Sequence, residues 1–479
     1  MKKSLCLLFI LAFLAVCAMP GVAYLCGYQA ENRENRPLAR EAELFGRDGL
    51  NLAFPADFDT WWQDHFGFRE EMVTAFHGMT LALAGDTLNK KVVAGKNGFL
   101  FYEETVNDYL RINLMTEEEI ARAATVLRLM GDYAQSTGAS FTFAAAPNKN
   151  TVYPEYMPDR FRPTAEKSNR ERLYIALAEQ GVNTLDFAAL LAGAKAEGLL
   201  YYHQDTHWNE RGALLAYRAM MERIAGGEPY SAYEAAAATE RAGNVGDLHN
   251  FVLPAAPQTA PEPEYAIRTD YRLDEGARPE RDVFFGTSVP VNNVRLCMFR
   301  DSFGEGLIPL LSSNVGRAVY SQEFPYNLTF TEERFTAVFI ELAERNIPNL
   351  LTAAPLVPGV EIPYADALFP GKEALNVNLT ARQRNGHIQL AGCFEGEYAR
   401  RVYVEVTQNG SARLYEAFPV MEESVQPLAA GLNNPCGFVL TLPAGFDAGT
   451  ATVRVSTLLS GGNALANVMD SAPVQVALP

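Results

Sequence analysis

Between residues 96 and 356, short apolar segments typical of strands alternate with amphipathic helices. The strand candidates are "GFLFY", "SFTFAAAP", "VNTLD", "NVRLCMF" and "FTAVFIEL", and the clearest helix among them is "TEEEIARAATVLRLMGDYAQSTG". Strands that alternate with helices favour a mostly parallel sheet with helices on both faces. The pattern therefore predicts a three-layer α/β domain, whose ligands would bind at the carboxyl ends of the strands.

The C-terminal segment, residues 357–479, has a different pattern. Apolar and polar residues alternate along segments such as "ARRVYVEVTQNGSARLYEAF" and "GTATVRVSTLL", which are joined by Asn-Gly and Pro/Gly turns. This pattern predicts a β-sandwich, with a hairpin at "TQNGSA" as its clearest local feature. Cys393 and Cys436 lie in this segment and could pair in an oxidising compartment, although their spacing alone does not establish a disulfide.

The N-terminus begins with Lys2 and Lys3, followed by an almost uninterrupted apolar run over residues 5–27. The run is long enough to cross a bilayer as a helix and longer than the apolar core of an ordinary signal peptide. We therefore expect residues 1–27 to form a membrane anchor, with a cleaved signal peptide as the alternative. In either case the globular part lies outside the cytoplasm. For residues 28–95, the polar sequence followed by apolar residues at helical spacing predicts a stalk and then a helical segment that leads into the next domain.

The chain has 479 residues and a formal net charge of -17 at pH 7. Its length suits two or three globular domains. The negative charge argues against a nucleic-acid partner, and against a strongly anionic polymer unless a local basic groove exists. Enzymes and glycan-binding proteins remain as function classes.

The segment "YYHQDTHWNERGA", residues 201–213, contains two of the six histidines of the chain. His203, Asp205 and His207 alternate, so on an extended segment their side chains would share one side and could ligate a metal ion. A catalytic interpretation instead makes His207 a general base and Asp205 the carboxylate that orients it. The catalytic interpretation requires a nucleophile elsewhere in the chain.

The segment "VRLCMFRDSFGEG" offers that nucleophile. Its apolar strand ends near Arg300, and Ser302 stands at a strand-to-helix turn with glycines just after it. The hydroxyl would emerge at the carboxyl end of the strand, where the backbone N–H groups of Ser302 and Gly304 could receive an oxyanion. A triad of Ser302, His207 and Asp205 requires the Ser302 hydroxyl to lie within about 3 Å of the His207 ring.

Helix capping is the alternative explanation for both segments. Asp205 or Thr206 would cap a helix that begins near Trp208, and Ser302 would cap the next helix. A cap requires neither a histidine nor a tryptophan, so capping explains only part of the first segment.

Five motifs in the chain resemble those of a known family, the SGNH-hydrolase-like proteins of the AlgX/AlgJ and DHHW type. They are "GKNGFLFY", "APNKNTVYPEYMP", "DTHWNERGA", "FRDSFGEG" and "AVFIELAERNI". The resemblance extends over residues 54–351, and the family is associated with O-acetylation of exported polysaccharides. It implies that Asp205, His207 and Ser302 form a triad for acyl transfer without a cofactor.

The resemblance also implies several supporting roles. SGNH enzymes place an asparagine in the oxyanion hole, and Asn148 is the candidate here, with a turn or packing role as the alternative. Tyr201, Tyr202 and Trp208 would form a platform for a sugar ring, unless they are simply packed. Asp301 would orient the turn rather than react. The family further implies a partnership with a membrane-bound O-acyltransferase that supplies acetyl groups.

The sequence therefore predicts a membrane-anchored, extracytoplasmic O-acetyltransferase that modifies a cell-surface or secreted polysaccharide. An acetyl esterase with the same triad is the nearest alternative, since both share the acyl-enzyme. A non-catalytic glycan-binding scaffold is another. The metal interpretation remains the competing chemistry for the histidine motif.

Overall fold

The computed structural model describes residues 2–28, 38–46, 49–233, 239–242, 246–258, 260–364, 375–396, 399–459 and 468–479. The α-helices in these residues are α1 (Lys2–Leu25), α2 (Phe54–His65), α3 (Arg69–Ala84), α4 (Val106–Leu110), α5 (Glu117–Ser136), α6 (Lys149–Val152), α7 (Asn169–Glu179), α8 (Phe187–Ala194), α9 (Glu210–Ile224), α10 (Asp247–Val252) and α11 (Ile308–Ser312). The strands are β1 (Phe45–Gly46), β2 (Gly49–Leu50), β3 (Val92–Ala94), β4 (Leu100–Tyr102), β5 (Ser140–Ala146), β6 (Thr184–Leu185), β7 (Thr239–Ala242), β8 (Pro261–Glu264), β9 (Arg272–Leu273), β10 (Phe284–Ser288), β11 (Arg295–Phe299), β12 (Arg317–Ser321), β13 (Ala337–Ala343), β14 (Val377–Arg384), β15 (His387–Glu395), β16 (Ala399–Gln408), β17 (Ser411–Ala417), β18 (Pro435–Thr441), β19 (Gly449–Leu459), β20 (Val468–Asp470) and β21 (Val474–Leu478).

The central sheet has seven strands in the order β6-β5-β13-β11-β12-β10-β9. The first five strands of this order are parallel to one another, whereas β10 and β9 are antiparallel additions at one edge. This topology confirms the predicted α/β domain with a mostly parallel sheet. Because β11 is the middle strand, the serine that follows it lies at the centre of the carboxyl edge, where such sheets bind ligands.

The sheet is buried on both faces, as a parallel sheet covered by helices must be. Along β11, Met298 packs in one core with Tyr217 of α9, whereas Phe299 packs in the other core with Leu127 of α5. The helix α5 begins where the sequence predicts, because Thr116 forms a reciprocal capping box with Glu119. The two cores hold the sheet rigid beneath the loops at its carboxyl edge.

The C-terminal segment forms the predicted sandwich of antiparallel strands. One sheet has the order β14-β15-β18, and the other has the order β17-β16-β19-β20, with β21 also paired to β19. The predicted hairpin joins β16 to β17 through Asn409 and Gly410, which both have the positive φ that a tight two-residue turn requires. Leu390 and Phe438 of the first sheet share a core with Val404 of the second.

The opposite face of the three-stranded sheet packs on the α/β domain. Ala391 and Val439 belong to the same apolar core as Leu127 of α5 and Phe141 of β5. The two domains therefore share a core rather than a polar interface.

Cys393 and Cys436 are free thiols, so the disulfide that the sequence left open is not formed. Cys393 lies opposite Gly437 in the β15–β18 ladder, one position out of register with Cys436. Successive side chains of a strand point to opposite faces. Cys393 is accordingly buried against the α/β domain, whereas Cys436 is buried inside the sandwich.

The apolar N-terminal run forms α1, in which an 18-residue window within Ser4–Leu25 has a mean hydropathy of 2.7 and no buried residue. By length and composition this helix can cross a membrane, and a signal sequence meets the same criteria. The last turn of this helix contacts the helical lead-in, where the Tyr24 ring lies 5.5 Å from the ring of Trp61 in α2. Part of the predicted stalk, residues 29–37 and 47–48, lies outside the described residues.

Candidate active site

Two segments form the candidate site. The histidine loop, residues 201–209, precedes α9, and the serine turn, residues 300–306, follows β11. Ser302 Oγ lies 2.8 Å from His207 Nε2, and His207 Nδ1 lies 2.8 Å from Asp205 Oδ1. All three side chains are partly buried and partly open to solvent. The structure therefore brings together the three residues that the sequence singles out, at hydrogen-bonding distances.

Asp205 fixes both the orientation and the tautomer of the His207 ring. Its Oδ1 accepts hydrogen bonds from the backbone N–H and the Nδ1 of His207, and its Oδ2 accepts one from the Asp247 N–H at 3.0 Å. Burial disfavours the Asp205 carboxylate, but the hydrogen bond and charge of His207 outweigh it and lower the pKa of Asp205. Burial also disfavours the imidazolium, yet the bond to Asp205 raises the pKa of His207 above its ordinary value. Because Nδ1 donates to Asp205, Nε2 accepts from the Ser302 hydroxyl.

Asp247 is a site residue that the sequence analysis missed. Its carboxylate accepts hydrogen bonds from the Thr206 backbone N–H at 2.7 Å and from the Thr206 hydroxyl at 2.6 Å, and it lies 4.0 Å from His207 Nδ1. Burial, and then the charge of Asp205, raise the pKa of Asp247. Gly246 permits this approach, because a Cβ there would lie 2.1 Å from the Gln204 carbonyl oxygen. A glycine directly before an acid at the start of α10 is the only sequence signal for it.

The structure does not bring His203, Asp205 and His207 together as the three metal ligands that their alternation suggests. His203 turns away to Glu262, whose Oε2 lies 3.3 Å from its Nδ1. The carboxylate and imidazole atoms that do lie together, within 4.8 Å of one another, belong to Asp205, His207 and Asp247. N–H and O–H donors already occupy the oxygens of both carboxylates. This saturation favours a hydrogen-bonded triad over a metal centre.

Lys149 stabilises the histidine loop through hydrogen bonds to its backbone. Its ammonium group is buried and donates hydrogen bonds to the carbonyl oxygens of Tyr202, His203 and Asp205, at 3.0, 2.9 and 2.6 Å. Its Nζ also lies 5.5 Å from the centre of the Phe101 ring. Burial lowers the pKa of Lys149 to about 8, although Asp205 favours the charged form. One side chain thus binds three backbone carbonyl groups of the loop that carries the triad acid Asp205.

Asp301 shapes the serine turn without facing the His207 ring. Its Oδ1 accepts a hydrogen bond from the Phe303 N–H at 3.0 Å, and its Oδ2 accepts one from the Ala343 N–H at 2.6 Å. Its own N–H donates to Glu341 Oε2 at 3.1 Å. These bonds tie the turn to the neighbouring strand β13, in agreement with the orienting role expected for Asp301.

The structure corrects the expected role of Gly304. Its N–H donates to the Asp301 carbonyl at 3.2 Å and so closes the turn instead of pointing to a vacant oxyanion position. A Cβ at Gly304 would lie 2.6 Å from the Arg300 Cβ, so only glycine permits this packing. Among the described residues, none accepts a hydrogen bond from the Ser302 N–H. The Ser302 N–H is therefore the better-placed oxyanion donor.

Asn148 is not available as an oxyanion donor in this structure. The residue is buried, its Nδ2 donates to Asp108 Oδ2 at 3.0 Å, and its backbone N–H donates to Glu344 Oε2 at 2.9 Å. Burial, and then the charge of Glu344, raise the pKa of Asp108 to about 7. The asparagine therefore belongs to a buried polar network beneath the loops.

The prediction that Trp208 forms an exposed sugar platform is wrong, because its side chain is only 3% exposed. Its Nε1 donates to the Phe303 carbonyl at 3.1 Å, and its ring packs edge-on against the Phe303 ring. Trp208 thus joins the histidine loop to the serine turn. The predicted cap is also corrected: Asn209, rather than Asp205 or Thr206, caps α9 by accepting from the Arg211 and Gly212 N–H groups.

Arg345 is a second residue near the triad that the sequence analysis did not assign. Its guanidinium lies 5.7 Å from the ring centres of both Phe303 and Tyr102. Its positive charge opposes protonation of His207, and so lowers the pKa of that ring slightly against the larger effect of Asp205. It lies in the quoted segment "AVFIELAERNI", which offered the signal for its position.

Comparison with known families gives one matching model, described as an SGNH hydrolase-like domain of the acetyltransferase AlgX, over residues 92–296. This match includes Asp205 and His207 and ends before Ser302. A curated relative from Pseudomonas putida, named probable alginate O-acetylase AlgJ, is 32% identical over 35% of this chain and 43% of its own length. A relative of the same name from Pseudomonas syringae pv. tomato is 24% identical over 54% of this chain and 62% of its own length.

The chain spans less than two thirds of the length of these two curated relatives. Among solved structures, the O-acetyltransferase domain of P. putida AlgJ matches with a TM-score of 0.37 and 21% identity, over 54% of this chain and 92% of that one. A DHHW family protein from Eubacterium siraeum matches with a TM-score of 0.39 and 17% identity, over 54% and 96%. The family model and the curated relatives confirm the resemblance predicted from the motifs.

Proposed function

Because residues 92–296 match the model of an SGNH hydrolase-like domain of the acetyltransferase AlgX, we propose that this protein is an O-acetyltransferase that uses Ser302 as its nucleophile. Its acceptors are hydroxyl groups of an exported or cell-surface polysaccharide. The observation that carries the proposal is the continuous hydrogen-bond chain from Ser302 through His207 to Asp205, with both contacts at 2.8 Å. The names of the curated relatives, probable alginate O-acetylases, support a polysaccharide as the acceptor class.

The first half of the reaction acetylates the serine. Ser302 Oγ attacks the carbonyl carbon of an acetyl ester or thioester, and its proton passes to His207 Nε2. Asp205 stabilises the imidazolium through the bond to Nδ1, and the Ser302 N–H donates to the oxyanion. The oxyanion then collapses, the bond from the carbonyl carbon to the leaving group breaks, and the leaving group takes the proton from Nε2.

The second half moves the acetyl group to the acceptor. A sugar hydroxyl gives its proton to His207 Nε2 and attacks the acetyl carbon of acetyl-Ser302. Collapse of this second oxyanion breaks the bond to Ser302 Oγ, which regains the proton from Nε2. The ester is thus transferred without net loss or gain of protons. Water in place of the sugar would yield acetate and make the same site an esterase.

The domain arrangement supports a place outside the cytoplasm. We propose that α1 holds the protein at the membrane, that residues 96–356 are the catalytic domain, and that residues 357–479 are an accessory sandwich which binds glycan. The acetyl donor would come from a membrane-bound O-acyltransferase, because no intracellular donor reaches an extracytoplasmic site unaided. If α1 is removed as a signal, the same protein acts in solution outside the cytoplasm.

The test uses the purified protein, an aryl acetate as donor and an oligosaccharide as acceptor. Ser302→Ala should lower aryl-acetate turnover by about 10⁴-fold or more and abolish the acetylated protein detected by mass spectrometry. Ser411→Ala, which changes an exposed serine of the β16–β17 hairpin, serves as the matched control and should leave both unchanged.

The outcomes separate the candidate functions. Acetyl transfer to the oligosaccharide supports the transferase, whereas release of free acetate in the presence of acceptor supports the esterase. Equal turnover by wild type and Ser302→Ala would leave a non-catalytic scaffold. Stoichiometric, tightly bound zinc or iron in the purified protein would replace the triad by a metal mechanism.

A further inference from the structure

A cavity of about 380 Å³ opens beside the nucleophile. Ser302 forms part of its wall, and Phe324, Tyr326, Glu341 and Asn346 are among the other residues that line it. Whatever fills this cavity therefore lies next to the serine oxygen. The chemistry of the wall consequently indicates which class of acceptor fits there.

Two of the lining residues, Tyr326 and Glu341, each have a buried polar atom without a hydrogen-bond partner among the described residues. These atoms are Tyr326 Oη and Glu341 Oε1. Burial, and then the charge of Asp301, raise the pKa of Glu341 well above its ordinary value, which disfavours the charged form of its carboxyl group. Buried polar atoms are ordinarily satisfied, by protein or by a bound molecule.

The remaining wall suits a sugar ring. The Phe324 side chain is 42% exposed, although aromatic rings are usually buried, and its face can pack against the C–H face of a pyranose. Asn346 and Asn349 contribute amide groups, which bind hydroxyls without requiring charge. An exposed aromatic ring beside two amide side chains can bind the C–H face and the hydroxyl groups of a sugar.

The charges of the wall disfavour an anionic acceptor. Its one cation, Arg300, has a side chain that is only 2% exposed and pairs with Glu305 at 3.3 Å. Glu323 lies at the wall with partial exposure, and no cation among the described residues pairs with it. Arg345 lies over the Phe303 ring and is not part of this wall. An acceptor carboxylate would therefore meet carboxylates and no available positive charge.

We infer that this cavity is the acceptor subsite, that it takes an uncharged sugar ring, and that Glu323 excludes sugars that carry a carboxylate. The inference rests on the proposed acetyl transfer through Ser302 and names its acceptor class. That class differs from alginate, the polyuronate in the names of the curated relatives.

The test compares two acceptors of equal length, a neutral hexose oligosaccharide and an oligouronate, with the full-length protein and an aryl acetate donor. Wild type should transfer acetyl to the neutral acceptor about tenfold faster than to the oligouronate, because of like-charge repulsion in the cavity. Glu323→Gln should reduce this preference by about threefold or more, and added salt should reduce it in wild type by screening. Glu280→Gln, which changes an exposed glutamate that does not line the cavity, should retain the wild-type preference.

Faster transfer to the oligouronate by wild type would overturn the inference, as would a preference that Glu323→Gln leaves unchanged. Both results are scored on protein that forms acetyl-Ser302, so they leave the proposed function standing. Failure to form acetyl-Ser302 would instead contradict the proposed function itself. Glu323 is partly exposed, so its glutamine variant should fold normally.

Discussion

The histidine loop and the serine turn meet at two hydrogen bonds, His207–Ser302 and Trp208–Phe303, yet different forces hold them. The loop is fixed by charged and polar side chains, chiefly the buried ammonium of Lys149 and the carboxylate of Asp247. The turn is held by the Asp301 carboxylate, and it also depends on close packing, with Gly304 pressed against Arg300. The loop should therefore respond to changes of charge and pH, and the turn to changes of size.

The largest effect should follow from adding one methyl group to the turn. Gly304→Ala would place a Cβ 2.6 Å from the Arg300 Cβ, so the backbone that carries Ser302 must shift. A displacement of the nucleophile by about 1 Å costs roughly a hundredfold in turnover. We expect that loss in aryl-acetate kinetics, with the pH profile of the residual activity unchanged in shape.

Gly193→Ala is the matched control, because a Cβ at Gly193 in α8 meets nothing within 4 Å. It should keep full activity and gain slightly in stability, as expected for alanine in a helix. Wild-type activity in Gly304→Ala would show that the turn tolerates the added volume, and the contrast between turn and loop would be lost.

The second effect should come from the charge beneath the loop. Lys149→Met retains the apolar stem but removes three hydrogen bonds. It leaves the Tyr202 and Asp205 carbonyls unsatisfied, whereas the His203 carbonyl still accepts from the Leu100 N–H at 2.9 Å. We expect a fall of about 3 kcal/mol in the free energy of unfolding, measured with urea, and a loss of roughly tenfold or more in turnover.

Lys90→Met, at an exposed position before β3, should change neither quantity. If Lys149→Met were as stable and active as wild type, the ammonium would be incidental to the loop. A loss of stability alone, with turnover intact, would assign Lys149 to the fold and not to the position of Asp205.

The smallest effect should appear in the pH dependence of the loop. His207 acts as a base only when neutral, so kcat/KM should fall as pH drops through its pKa, and that pKa is raised above the ordinary 6.5. Asp247→Asn removes a negative charge 4.0 Å from Nδ1, so the acidic limb should move to lower pH by less than about one unit. Asp205→Asn should move the acidic limb further and lower turnover far more than Asp247→Asn does.

An acidic limb of the kcat/KM profile that does not move in Asp247→Asn would contradict the electrostatic role of Asp247.

Much of this architecture could be predicted from sequence because its signals are local. The apolar runs of β5, β11 and β13 and the capping box of α5 are read directly from the chain. The order of five motifs then indicated that two loops almost a hundred positions apart would meet. The strands β10 and β12 were not predicted, because each is a short segment flanked by turns and polar residues.

The contacts that support the triad could not be predicted from the sequence, because they join residues that only the tertiary structure brings together. Nothing in the spacing of Asp247 or Lys149 indicates that they converge on the loop around His207. Trp208 shows the opposite error: an aromatic residue next to a catalytic motif suggested a surface role, whereas its indole bridges the two segments in the core. The triad could be predicted, but the residues that position it required the fold.

The core shared between the two domains has a consequence for the chain as a whole. Ala391 and Val439 cover apolar side chains on the outer surface of α5, so the sandwich buries part of the apolar surface of the α/β domain. Truncation of the chain shortly after residue 356 would expose these apolar side chains to solvent. The remaining fragment would then be prone to aggregation, even with every triad residue present. The sandwich therefore contributes to the solubility of the α/β domain through this shared core.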